Sequence, residues 1–416
     1  MMRTTTNSAR WLVIFSLVAG LSVGIAACGD SNNSDSNSSS NGSDTNTRKS
    51  KTAQGTAGQT SAETSNSVSN SQSDSSVVAG GRVFASNSPW NTEIDGLSVD
   101  PNSSRMLDLA TERKAAREIP GQDGLQTIIR KVTDGLHVNT EAWAPLIVEA
   151  GGNGSEVTQF VCRQQKCSSD NPSVPDSLPI PANTTPDPRY DGWLSVIDSE
   201  AGIGYDFWRA RRQSDNSISY QYAKAWTLDG PGFSNPISVD ANRAVGARGS
   251  GLPLFAGVIG AEEASQGRIN HALAIAVPGL ARRNFVQPAS VTDGNGNQNS
   301  LPAGARIRLR SNVTADQRNV NLKGARGRSA ESILVALRKY GAIVVDRAAV
   351  PTLYTPRGTS QRVISGSELD WLTLDDFEVI SLPQLYQDPP LGQVNLEGPG
   401  GATVDETSTG TTDSGQ

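Results

Sequence analysis

Residues 29–78 are dominated by Ser, Asn, Asp, Thr and Gln and contain no aromatic residue, no Leu and no Ile. That stretch decides where a core can form. Fixing one residue's backbone costs about 1–2 kcal/mol, and a segment without large apolar side chains has nothing with which to offset it. Residues 395–416 have nearly the same character. The sequence therefore reads as a leader (1–27), a polar tether (28–78), one folded unit (79–394) and a polar tail (395–416). Two histidines in 416 residues exclude a His-rich metal cluster, and no metal is expected. Lys and Arg number 36 against 42 Asp and Glu, a net charge of −6 without a basic block, so nucleic acid is not an expected partner. The chain lacks the GxxxxGK, GxGxxG, HExxH and GxSxG patterns, which argues against nucleotide-dependent and α/β-hydrolase chemistry, and no cofactor is expected.

Within 79–394, runs of period two dominate. Trp193–Ile197 and Tyr205–Ala210 flank a short turn and read as a hairpin; Tyr220–Trp226 alternates aromatic or long side chains with small ones. In Arg268–Val277, Ile269, His271, Leu273, Ile275 and Val277 share one face, and Asn270 and three alanines share the other. Trp143–Val148, Ala305–Arg310, Ala342–Asp346 and Ile380–Leu385 add further strands. Two helices are predicted: one from Ser104 to about Glu118, and one capped by Ser329 and ended by Gly341. With few helices and no βαβ rhythm, the expected fold is mainly β, an antiparallel β-sandwich or jelly roll with a few short helices.

The leader places Arg3 and Arg10 before an apolar run, Trp11–Ala27, that ends in small residues ahead of Cys28. Ile25-Ala26-Ala27-Cys28 resembles the lipobox of bacterial lipoproteins. The resemblance implies cleavage before Cys28, lipid on its sulfur, and a bilayer as partner, in either the cell membrane or an outer membrane. As a flexible coil of about 50 residues, the tether would reach roughly 40 Å from that surface. Cys162 and Cys167 then form an even pair in an oxidising compartment, and a structural disulfide is expected between them.

Ser88-Pro89-Trp90-Asn91, Tyr205-Asp206-Phe207-Trp208, Gly249-Ser250-Gly251-Leu252-Pro253-Leu254, Ile269-Asn270-His271-Ala272-Leu273 and Lys339-Tyr340-Gly341 occur in an order that resembles a largely uncharacterised family of secreted bacterial proteins. The likeness implies secretion and a common sandwich-like core, and no particular reaction.

Four constellations could carry chemistry. Asn270 and His271, beside Tyr205, Trp208, Arg209, Tyr222 and Trp226, resemble the groove of jelly-roll polysaccharide lyases. There an amide or guanidinium neutralises a uronate and His or Tyr removes the neighbouring proton. A core histidine bonded to a backbone carbonyl is the competing reading, since its neighbours on that face are apolar. Among carboxylates, Asp206 lies between two aromatic residues, where burial would raise its pKa; Asp191, Asp198, Glu262 and Glu263 are further candidates, the last two as the opening turn of a short helix. Asp293-Gly294-Asn295-Gly296-Asn297 begins like a calcium loop but lacks the closing Glu, and reads better as a Gly/Asn loop. Six tryptophans remain after the leader; most Trp pack in cores, although exposed ones stack on sugars. The expected function is a lipid-anchored, extracytoplasmic protein acting on polysaccharide or cell-wall glycan, as lyase or glycoside hydrolase. The catalytic candidates are Tyr205, Asp206, Asn270 and His271; the substrate-binding candidates are Trp208, Arg209, Tyr222 and Trp226. The alternatives are a non-catalytic glycan-binding lipoprotein and a structural envelope protein.

Overall fold

A computed structural model describes residues 82–120, 123–164, 167, 173–235 and 246–387. The leader, Cys28, the tether and the tail lie outside the described residues.

The first helix, α1 (Ser103–Ala110), buries Met106, Leu107 and Ala110 and stops at Thr111. It is shorter than the sequence predicts: Glu112–Glu118 is a strand, β1, paired with β2 (Leu125–Lys131) in an isolated antiparallel ribbon. The apolar period of three to four ends at Ala110, and Glu112–Glu118 offers no apolar stripe for a helix to bury. Next come β3 (His137–Asn139), β4 (Leu146–Glu149), β5 (Ser155–Cys162) and β6 (Ser177–Pro181). The expected hairpin forms as β7 (Leu194–Asp198) and β8 (Ile203–Trp208), antiparallel with Ser195 opposite Asp206. β9 (Arg211–Arg212), β10 (Ile218–Tyr220) and β11 (Tyr222–Thr227) follow; Gln221 divides the single strand expected over 220–226 between two sheets. Then come α2 (Ala261–Gln266), β12 (Leu273–Val277), β13 (Asn284–Val286) and β14 (Arg306–Leu309). α3 (Gly324–Lys339) begins five residues before the expected cap. Ser329 lies buried inside it, its hydroxyl donating back to the Ala325 carbonyl. β15 (Ala342–Arg347), β16 (Thr352–Tyr354), β17 (Phe377–Val379) and β18 (Leu385–Gln387) complete the described chain.

The protein is mainly β. Its sheets are mixed, where the pattern predicts antiparallel pairing throughout: β4–β7, β5–β10, β12–β15 and β3–β16 are parallel. Periodicity fixes which face a residue takes, and it is silent on strand direction. A six-stranded sheet runs β17-β14-β15-β12-β16-β3, and two four-stranded sheets run β11-β8-β7-β4 and β6-β5-β10-β9.

Three cores follow from alternation. On one face of the six-stranded sheet, Leu273, Ile275 and Val277 pack with Met106 and Leu107 of α1 and Ile333, Leu334 and Leu337 of α3. On its other face, Ala274, Ala276, Ile343 and Val345 meet Trp90, Phe255, Trp193, Ile197, Tyr222 and Trp226. The third core takes Tyr205 and Phe207 of β8, Leu194 and Val196 of β7, and Phe160, Ile180 and Ile218 from the remaining sheet. The alanine face of β12 is covered. Its small side chains admit other backbone: the Ala272 N–H donates to Trp90 O (2.7 Å) and the Ala274 N–H to Gly257 O (2.8 Å). The Cys162–Cys167 disulfide is formed, and the Cys167 carbonyl accepts from the Ala223 N–H at 2.7 Å, which ties this short loop to β11.

Candidate functional site

The sequence candidates separate into groups. Asp206 is fully buried with every approach occupied: Ser195 Oγ donates to Oδ1 at 2.6 Å, and Trp226 Nε1 (3.0 Å) and the Leu254 N–H (2.7 Å) donate to Oδ2. Burial raises its pKa to about 6, against those hydrogen bonds and the pull of Arg248. Tyr205 points the other way, into the third core. Tyr222 and Trp226 are buried in the second. These side chains hold sheets together.

Asn270 and His271 precede β12 instead of lying in it; Asn270 is exposed and His271 buried. His271 Nδ1 lies 2.9 Å from the Ala272 carbonyl. Nε2 lies 3.1 Å from Glu263 Oε1, which also accepts from the Gly260 N–H (2.8 Å) at the start of α2. Glu262 and Glu263 occupy the first turn of that helix, as expected. His271 thus helps to fasten α2, and both of its ring nitrogens are engaged.

A different cluster has the character of a site. It lies at one end of the second core, between the six-stranded sheet and the β11-β8-β7-β4 sheet, and Arg248 is its centre. The loop Gly246–Leu254 carries Arg248 inward to 1% exposure. Its Nη2 donates to Leu254 O at 2.8 Å, and its guanidinium stands 5.0 Å from the ring centre of Tyr354 and 5.9 Å from that of Trp193. Cation–π attraction over two rings offsets part of the desolvation of this charge. Among the described residues, Nε and Nη1 make no hydrogen bond.

Facing it is Asp346, at the end of β15. The pairing Ile275–Val344 is followed by Ala276–Asp346, so Val345 is an extra residue, a bulge in a parallel pair, where bulges are rare. Without it Asp346 would follow Ala342 and Val344 toward the helices; with it, the carboxylate lies beside Arg248, Oδ2 to Nε being 3.9 Å. The Gly249 N–H donates to Oδ1 at 2.9 Å, and Oδ2 has no hydrogen-bond partner among the described residues. Burial, and then the neighbouring Asp293 and Asp191 charges against Arg248, push Asp346 up to about 8.

Asp293 approaches from the Gly/Asn loop. A Cβ at Gly249 would lie 2.2 Å from its carboxyl carbon, so the glycine makes that approach possible. Arg347 Nε donates to its Oδ2 at 3.1 Å, and Oδ1 is buried without a hydrogen-bond partner among the described residues. Burial raises the Asp293 pKa, and Arg347 opposes that rise. Asp191 completes the group, its own pKa raised by burial against Arg209 and the Trp208 indole. Asp191 (φ 62°) and Arg209 (φ 53°) both hold left-handed backbone, and the Arg209 N–H donates to Asp191 O at 2.8 Å. Such conformations persist where the surroundings enforce them, commonly at functional sites. Arg209 lies 4.8 Å over the Trp208 ring, and both side chains act on the Asp191 carboxyl.

No protein-family description, curated protein or solved structure matches this chain. Among the described residues, no group of three or more His, Cys, Asp or Glu could hold a metal ion. The cluster consists of carboxylates and guanidiniums with two aromatic rings. Arg248, Asp346, Trp193 and Tyr354 were missed as site residues. The available signals were a lone Arg in a glycine-rich loop and an acid closing an apolar strand.

Proposed function

We propose that the protein is an extracytoplasmic, lipid-anchored glycoside hydrolase, with Asp346 as general acid and Asp293 as general base. The observation that carries this reading is the placing of two carboxyls with different partners in one cluster: Asp346 stands 3.9 Å from Arg248 with its Oδ2 free of hydrogen bonds among the described residues, and Asp293 bonds to Arg347 at 3.1 Å. Burial raises both pKa values, Asp346 to about 8, and Arg347 opposes the rise at Asp293. A carboxyl that keeps its proton at neutral pH beside a second carboxyl paired with a guanidinium is a set that acid–base cleavage of a glycosidic bond can use. Asp346 gives its proton to the glycosidic oxygen, and Asp293 takes one from the water that attacks the anomeric carbon. The bond to the leaving sugar breaks, yielding one hydroxyl and one new reducing end. Arg248 stabilises the carboxylate left on Asp346. Trp208 and Arg209, stacked 4.8 Å apart, offer an aromatic ring and a guanidinium to the sugar.

The hydrolase branch is favoured over the lyase branch because His271, the candidate lyase base, has both nitrogens engaged. The anchor at Cys28 and the tether extend the reading to a site held near a bilayer. For the fold, the two four-stranded sheets that share the third core support a local sandwich within the larger mixed architecture. Incubating the full chain in detergent with a panel of polysaccharides tests the reaction: new reducing ends without unsaturated-uronate absorbance are expected. That absorbance would indicate a lyase, and binding without product a non-catalytic glycan-binding protein.

A further inference from the structure

Among the described residues the β1–β2 ribbon pairs with no other strand, and most of its residues are exposed. Two-stranded ribbons are at best marginally stable alone, and this one carries a charge pattern that weakens it further. Directly opposed residues share a face, which puts Arg113 opposite Arg130, Ala115 opposite Ile128 and Arg117 opposite Gln126 on one side. Like charges directly opposed are destabilising. That side holds three guanidiniums and no carboxylate. Arg113, Lys114, Arg117 and Arg130 form no ion pair or side-chain hydrogen bond among the described residues; Lys131 is taken by Asp108. In a chain of net charge −6, the ribbon sets five cations (Arg113, Lys114, Arg117, Arg130, Lys131) against Glu112 and Glu118.

We infer that this arginine face docks an anionic glycan, one bearing carboxylates or phosphates along its length. This rests on the glycan reading above and narrows its substrate class. Guanidiniums bind such groups bidentately, and Arg113 and Arg117 stand about 13 Å apart along the strand, a spacing suited to a polymer with recurring charges. The other face fits an anionic bilayer less well. Leu125 (68% exposed) and Ile129 (58%) project there, but Glu112 and Glu118 on that face offset Lys114 and Lys131, which leaves it without net positive charge.

The test measures retention of the full chain in detergent on immobilised polygalacturonate and on glycerol-phosphate teichoic acid across a salt series. The variants are Arg113→Gln/Arg117→Gln/Arg130→Gln and Leu125→Ser/Ile129→Ser, each checked for native near-ultraviolet dichroism. Salt-sensitive retention by the wild type is expected on at least one polymer, and the two columns distinguish carboxylate from phosphate. The triple variant should bind roughly tenfold or more weakly, the double variant should bind as the wild type does, and release of reducing ends from short neutral oligosaccharides should not change. Undiminished retention of the triple variant would overturn the inference, as would tighter binding to anionic vesicles or duplex DNA. If no glycan is cleaved, the hydrolase reading fails while retention still decides this one.

Discussion

Arg248 and Asp346 oppose each other in the interior, guanidinium Nε 3.9 Å from carboxylate Oδ2, and neither atom has a hydrogen-bond partner among the described residues. Each is held from behind, Arg248 by the Leu254 carbonyl and Asp346 by the Gly249 N–H. Buried pairs rarely repay their desolvation even in close contact. A pair held at this spacing beside a second carboxylate is poorly suited to stabilising the fold and well suited to moving a proton.

The Asp346 site makes stability depend on pH. Its carboxyl titrates near 3.8 in the unfolded chain and at about 8 in the folded protein. Below the first value both states are protonated and the group has no effect. As pH rises from there to about 8, the unfolded state releases its proton first, so the native state loses stability throughout that interval. Asp346→Asn should therefore melt close to the wild type at pH 4 and clearly above it at pH 9. Thermal melts across that range check this.

Asp206 acts structurally. Asp206→Ala would leave the Ser195 hydroxyl, the Trp226 indole N–H and the Leu254 amide without their acceptor. The expected loss is about 3 kcal/mol in urea unfolding, with Asp206→Asn milder because it keeps one acceptor oxygen.

The Cys162–Cys167 link closes a loop with a sequence separation of 5. The chain-entropy model gives about 2 kcal/mol for so short a closure. Cys162→Ser/Cys167→Ser should lower the urea midpoint accordingly and leave the far-ultraviolet dichroism unchanged.

Cys28 is the proposed attachment point. Expressed in a bacterial host and fed labelled palmitate, the wild type should carry label and sediment with membranes. Cys28→Ser should lose the label and appear in the soluble fraction.

Element type and facing were legible where alternation was strong. Leu273, Ile275 and Val277 do share a core face, and the β7–β8 hairpin closes where its turn predicts. Strand direction was not, because β12 reads the same whether its neighbour β15 runs parallel or antiparallel. The site was hidden for a related reason. Strict alternation assigns Asp346 to the helix side of the sheet, and only the bulge at Val345 redirects it. Arg248 has no periodic context at all, and its role arises from the fold of a glycine-rich loop over Trp193 and Tyr354. Asp206 was found because its aromatic neighbours advertise burial, yet the residues that occupy it come from β7, β11 and residue 254.

The most direct measurement is the pH dependence of kcat/KM for reducing-end release by the wild type, Asp346→Asn and Asp293→Asn, each confirmed as folded. The wild-type rate should fall as pH rises past about 8, where Asp346 surrenders its proton, and each variant should lose about a hundredfold or more. A variant that keeps most of the wild-type rate with the same pH profile would contradict the assignment of these two carboxyls.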